Sequence, residues 1–101
     1  MPKQELIVIA RIRAKAGRED DVLSEIVALI APTRSEAGCI KYDLHRAQDD
    51  PALFCLYEVW RSRQDLDEHL ATPYLQSFLG RVPELLAEPV DLTFWDKICS
   101  P

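Results

Sequence analysis

Two ionisable side chains stand out because they sit among apolar neighbours. Glu58 is the only charge in the run LFCLYEVW, Leu53 to Trp60, and His69 lies on one helical face with Leu66 and Leu70, at spacings of three and four. A carboxylate in an apolar strand costs free energy unless it is bonded. An imidazole is the side chain best matched to proton transfer near neutral pH. One short stretch, Leu53 to Leu79, thus combines an acid, a base and several rings, which is the raw material of general acid–base chemistry. His69 is the first candidate for the base. Its plain structural reading is a core-edge histidine bonded to a backbone carbonyl or to Glu58. Glu58 can orient His69 or take a ligand hydroxyl; alternatively it pairs with Arg61 or Arg63 from the following helix. Trp60 shares the strand face of Glu58 and can stack on a planar ligand, or be an ordinary core ring. Tyr42, Tyr74 and Phe78 are candidate walls of a cavity between helices and sheet, and the two phenols can donate to a developing oxyanion.

The elements that must hold these residues follow from periodicity. Glu5 to Ala14 reads as a strand, with Leu6, Val8, Ala10 and Ile12 on one face and Ile7, Ile9, Arg11 and Arg13 on the other. Arg18 to Ala31 reads as a helix with an apolar stripe of Val22, Ile26, Leu29 and Ile30, and with acidic residues at its positive end. Pro32 is expected to interrupt it, and Ala37-Gly38 to end the region. Ile40 to Arg46 and Leu53 to Trp60 form a hairpin around the polar turn Gln48 to Pro51, with Ile40, Tyr42 and Leu44 on one face of the first strand and Lys41, Asp43 and His45 on the other. A helical region from Ser62 to Arg81 breaks at Thr72-Pro73. Ser62 and Asp65 resemble a capping box, and Thr72 is an expected N-cap. Gly80 and Pro83 are expected stops. Val90 to Ile98 is the last strand.

Strand, helix, strand, strand, helix, strand is the split βαβ plan: an α+β fold with a four-stranded antiparallel sheet and helices on one face. Three of its strands carry apolar residues on both faces. The helices cover one face, so the other predicts a homodimer packed sheet against sheet.

The chain has 101 residues, which bounds it to one domain over residues 1–101. Its apolar fraction of 48% suits a globular core, and its net charge of -5 with scattered basic residues argues against nucleic acid as a partner. Cys39, Cys55 and Cys99 make no even-numbered framework and no C-x-x-C pair, so they read as free thiols of a reducing compartment. The stretch MPKQELIVIARIR lacks a signal-peptide plan, and no run approaches a membrane span, so a cytoplasmic location is expected.

The ordered set Glu36-Ala37-Gly38-Cys39, Tyr42, Leu44-His45, Asp50-Pro51, Tyr57-Glu58-Val59-Trp60, then His69 and Thr72-Pro73-Tyr74 resembles the antibiotic biosynthesis monooxygenase family, in particular its small quinol monooxygenases. The likeness spans Glu5 to Ile98. It implies a dimeric ferredoxin-like sandwich that oxygenates a quinol or polyhydroxylated aromatic with O₂, without metal, haem or flavin. No G-x-G-x-x-G, P-loop or histidine ligand spacing stands against that. Such an enzyme must supply a base, a dry cavity and an oxyanion donor, because the substrate supplies the electrons. Haem-degrading relatives carry an Asn on the first strand and a Trp at the position of His69; neither is present here. Two other readings stay open. One is a binding or stress-response dimer without turnover. The other is an isomerase of a small phosphorylated or carbonyl metabolite, for which Arg11, Arg13 and Lys41 are the available cationic cradle.

Overall fold

Alternation in the first segment decides the layering. In the computed structural model, which describes residues 5–99, β1 (Leu6–Arg13) sends Val8, Ala10 and Ile12 into the core. Ile7 and Ile9 face the opposite side and are only partly covered. The expectation of one domain takes in residues 1–4 and 100–101, which lie outside the described residues. α1 (Glu19–Arg34) buries Val22, Ile26, Leu29 and Thr33 against the sheet and places Glu19, Asp20 and Asp21 in its first turn. Gly17 turns the chain into it at φ 86°, a left-handed conformation that side chains with a Cβ rarely adopt.

Pro32 does not interrupt α1, contrary to expectation. It removes one helical donor, but the residue four earlier, Ala28, is exposed, so that carbonyl can be hydrated. The Ser35 amide then closes the last turn onto the Ala31 and Pro32 carbonyls.

β2 (Cys39–Arg46) and β3 (Leu53–Trp60) form the expected hairpin, with Tyr42 opposite Glu58 and Leu44 opposite Leu56. A bulge between Cys39 and Lys41 changes the expected facing of Ile40. Cys39 pairs with Trp60 and Lys41 with Val59, leaving Ile40 as the extra residue, about half exposed. Asp50 closes the turn by accepting from the Ala52 amide and from Arg13.

α2 (Arg63–Leu70) starts at Ser62, whose hydroxyl oxygen accepts the Asp65 amide. Only half of a capping box forms, because the Asp65 carboxylate binds the Arg61 guanidinium and the Ser62 hydroxyl instead of reaching back to the Ser62 amide. α3 (Pro73–Gly80) follows. Thr72 is its N-cap by position, but its hydroxyl donates to the His69 carbonyl rather than capping α3. A further turn, α4 (Val82–Leu85), runs on past the expected stop at Gly80 and buries Leu85 and, just beyond, Leu86. β4 (Asp91–Asp96) is shorter than expected, because its last partner is Leu6, where β1 begins.

The sheet order is β2-β3-β1-β4, antiparallel throughout. All the helices lie on the face that carries Val8, Ala10, Leu56, Glu58 and Tyr42. The other face presents Ile7, Ile9, Tyr57, Val59 and Trp95, the last about half exposed. Among the described residues no helix is long and apolar enough to cross a membrane.

Candidate active site

Gly38 sets the geometry of the site. A Cβ there would overlap Asp65 Cβ and Cγ, so only glycine lets the loop after α1 lie this close to α2. The Arg61 amide donates to the Gly38 carbonyl and locks the approach. Two residues earlier, Glu36 is thereby brought under the last turn of α2, where His69 sits.

Between helices and sheet lies a cavity of about 320 Å³. Its wall takes Ala10 and Ile12 from β1, Leu29 from α1, Leu56 from β3, Leu66 and Leu70 from α2, Leu75, Phe78 and Leu79 from α3, and Val82, Pro89, Val90 and Leu92 toward β4. Among the described residues that line it, only Tyr42, Glu58 and His69 have polar side chains, and none is Lys or Arg. The polar three come from β2, β3 and α2 at one end, where all are buried. The partly exposed wall residues, Leu70, Leu79, Val82, Pro89, Val90 and Leu92, are apolar and gather toward β4. The cavity is thus sealed at its polar end and open at its apolar end.

His69 is 2% exposed, and its Nδ1 lies 2.8 Å from Glu36 Oε2. A carboxylate only accepts, so Nδ1 is the donor, and in the neutral ring Nε2 is then the nitrogen with the free lone pair. Nε2 has no protein hydrogen-bond partner among the described residues and is not sealed off from the space around it. The ring packs against Trp60, centroids 4.6 Å apart, and against the edge of Tyr42 at 5.6 Å. Those contacts fix its plane.

Glu58 is 4% exposed; its Oε1 accepts the Trp60 indole N–H at 2.9 Å. Burial pushes its carboxyl up to about 7, against the lowering effect of the indole bond and with a smaller push from the Glu36 charge. A carboxyl in this range can both take and give a proton at neutral pH. Burial, with the nearby Glu58 charge next, drives the Tyr42 phenol far above its ordinary value, so it remains a donor.

Of the residues singled out by sequence, Glu58, His69, Tyr42 and Phe78 meet in one cavity wall. Trp60 and Tyr74 do not line it. Trp60 is fully buried behind His69, and its indole N–H bonds Glu58. The Tyr74 hydroxyl donates to Glu36 and also lies 3.4 Å from the Pro32 carbonyl; burial first, then Glu36, pushes that phenol up to about 12. Neither expected partner of Glu58 among the arginines is there. Arg61 forks onto Asp65, while Arg63 binds Asp67 and lies over the Phe94 ring. The partner of His69 is neither a backbone carbonyl nor Glu58 but Glu36, which sequence reasoning passed over. The one signal for it was Gly38, which marks the tight approach. Arg11 and Lys41 lie on the sheet face away from the cavity, and Arg13 binds Asp50. The cationic cradle an isomerase of phosphorylated metabolites would need is therefore not assembled at the cavity.

Helices on one face of a β2-β3-β1-β4 antiparallel sheet make this a ferredoxin-like α+β domain with a small-molecule cavity between its layers. The chain belongs to the antibiotic biosynthesis monooxygenase family, whose model matches residues 5–81. It is 40% identical over 86 residues to the "Putative monooxygenase Rv0793" of Mycobacterium tuberculosis, covering 85% of this chain and 84% of that one. An uncharacterised protein of a Synechocystis strain, sll1783, is 33% identical over 90 residues, and the match covers 89% of this chain but only 61% of that longer relative. Among solved structures, PA3566 from Pseudomonas aeruginosa superposes with a TM-score of 0.93 at 33% identity, covering 98% of this chain and 99% of that one.

Proposed function

We propose that this protein is a cofactor-independent monooxygenase that oxidises a quinol or polyhydroxylated aromatic with O₂. The observation that carries the reading is the cavity of about 320 Å³, lined by apolar residues apart from the buried Tyr42, Glu58 and His69. That volume falls within the range of small-molecule sites. A flat ring entering from the β4 side meets these groups hydroxyl first, and its apolar remainder stays at the mouth.

In the mechanism that fits these groups, His69 Nε2 takes the substrate O–H proton. The Glu36 carboxylate steadies the resulting imidazolium, and Tyr42 donates to the phenolate. The electron-rich ring reduces O₂ and forms a C–O bond at a C–H carbon, and the peroxide takes the proton from His69 to become a hydroperoxide. Glu58 removes the C–H proton as the O–O bond breaks to a carbonyl, and passes that proton to the departing hydroxide. One oxygen atom ends in the product and one in water, and the O–H and C–H protons both end in that water. Exclusion of bulk water strengthens every charge interaction in the sequence of steps.

The open sheet face supports a homodimer, since the partly exposed Ile7, Ile9 and Tyr57 and the half-exposed Trp95 would otherwise remain an apolar patch. Three free cysteines support a cytoplasmic location.

The test is oxygen uptake with a panel of naphthoquinols, with ¹⁸O₂ label expected at one atom per product molecule. His69→Ala should lower kcat by roughly 10²–10⁴ with the circular dichroism unchanged, the usual weight of a positioned base. Full activity in that variant would make His69 structural. Ligand-dependent thermal shift without oxygen uptake would mean a binding domain, and turnover under anaerobic conditions an isomerase.

A further inference from the structure

We propose that Glu36, itself held by Tyr74, is the positioning residue that commits His69 to act through Nε2 in the cavity. The inference rests on the oxygenase reading for its kinetic arm only. Glu36 Oε2 receives two donors at once, the His69 Nδ1–H at 2.8 Å and the Tyr74 hydroxyl. The three groups come from three places in the chain: the loop after α1, the end of α2 and the first turn of α3. Neither bond is needed to start or end a helix, since α2 is capped by Ser62 and α3 starts with Pro73.

The placement matters because an imidazole has two nitrogens and only one can serve the cavity. Were Nδ1 without an acceptor, the ring could carry its proton on either nitrogen, and the Nε2–H form cannot accept a substrate proton. The Glu36 carboxylate removes that choice and later opposes the imidazolium charge, as an orienting carboxylate does for a catalytic histidine generally. Glu36 reaches no substrate: it is absent from the cavity wall and lies instead in a polar cleft on the far side of His69, bordered by Arg61, Asp65, Glu68 and Thr72. Its carboxylate is 18% exposed there. Tyr74, expected from sequence to touch the substrate, acts one step further back, as the second donor that fixes the carboxylate.

Two measurements test this. The chain has two histidines, so ¹⁵N resonances of His69 can be assigned by comparison with His45→Gln, whose side chain is exposed on the other sheet face. At a pH where the ring is neutral, the wild-type spectrum should show Nδ1 protonated and Nε2 bare. Glu36→Ala should lose that preference and show a mixture. Nε2–H in the wild type, or an unchanged tautomer in Glu36→Ala, overturns the proposal, and neither result depends on any oxygenase activity. In the kinetic arm, Glu36→Gln keeps an acceptor of nearly the same shape but no charge. It should lower kcat at least tenfold with KM for the quinol within about threefold. Tyr74→Phe, which leaves the carboxylate in place, should lower kcat by a smaller factor in the same direction. Wild-type kcat in Glu36→Gln refutes the role. If wild-type protein consumes no oxygen with any quinol, the oxygenase reading fails and the tautomer spectra still decide the present one.

Discussion

Glu58→Gln should make the protein more stable, and only above the pH at which ordinary carboxylates ionise. The wild-type carboxyl titrates at about 7 in the folded state because burial disfavours its charge; in the unfolded chain it titrates near the usual value of about 4.3. Below about pH 4 both states hold the proton and the group contributes nothing. Between about 4 and 7 the unfolded chain releases its proton while the folded protein keeps it, so folding binds a proton and stability falls as pH rises. Above about 7 the folded state carries an ionised carboxylate in an apolar wall and the full cost is present. At 1.36 kcal/mol per unit, a displacement of between two and three units costs roughly 3–4 kcal/mol. That is an upper figure, because a neutral glutamine also leaves an amide facing the cavity. Its carbonyl can still accept the Trp60 indole N–H, so the bond at 2.9 Å survives the change. The expected result is a gain of about 1–3 kcal/mol for Glu58→Gln at pH 8, shrinking to within about 0.5 kcal/mol at pH 4. Urea unfolding at pH 4, 6 and 8 and fixed protein concentration, followed by circular dichroism, measures it. Other carboxylates titrate too, but they are common to both proteins and cancel in the difference. A stability difference that stays constant with pH, or that reverses so that wild type is the more stable at pH 8, would refute the account of Glu58 as a strained, proton-exchanging carboxyl.

Two further changes probe the frame around the site. Gly38→Ala forces a methyl group into Asp65 and should cost about 1–3 kcal/mol, the usual range for overpacking, read as a lower thermal midpoint. Because it pushes the Glu36 loop off α2, it should also lower oxygenase turnover more than its stability loss explains. Ile9→Glu places a charge at the middle of the open sheet face, between Tyr57 and Thr93 in register. Light scattering should then show a monomer where wild type gives twice the mass; equal masses would mean that this face is not the interface.

The layers of the fold were legible because they follow from side-chain parity. Val8, Ala10 and Ile12 alternate with Ile7, Ile9 and Arg11, and the structure buries the first set beneath the helices. Parity within each strand joined Tyr42 to Leu44 and Glu58 to Trp60; the cross-strand register then makes Tyr42 and Glu58 partners. Three features escaped that logic. The α1 helix passes through Pro32 because the bond the proline deletes lies on the solvent side, which no local propensity reveals. The turn Val82–Leu85 hides behind Gly80 and Pro83, residues that read as stops although proline is tolerated in a first helical turn. Ile40 leaves the expected face because a bulge inserts it, and a bulge depends on the partner strand. The site was legible in its members more than in its bonds. Glu36 and His69 are 33 residues apart, and only the close pass at Gly38 joins them. Trp60 and Tyr74 were read as rings for a substrate to touch; each turns its polar atom to a carboxylate instead, a choice set by tertiary packing.

The two carboxylates near the cavity divide the work by their surroundings. Glu36 has water on one side and two donors, His69 and Tyr74, on the other, so it can hold a negative charge where an imidazolium needs one. Glu58 has a single indole donor and apolar walls, so near neutral pH it exchanges a proton readily. Glutamine at Glu58 would keep the indole bond without the cost of burying charge. Stability therefore gives no reason for the carboxyl, whereas the proposed chemistry does: a ring that loses first an O–H and then a C–H proton needs two acceptors that differ in kind, one returning its proton to the peroxide and the other to the departing hydroxide. An imidazole backed by a partly solvated carboxylate and a carboxyl poised near 7, set in a space whose remaining lining is apolar, meet that requirement.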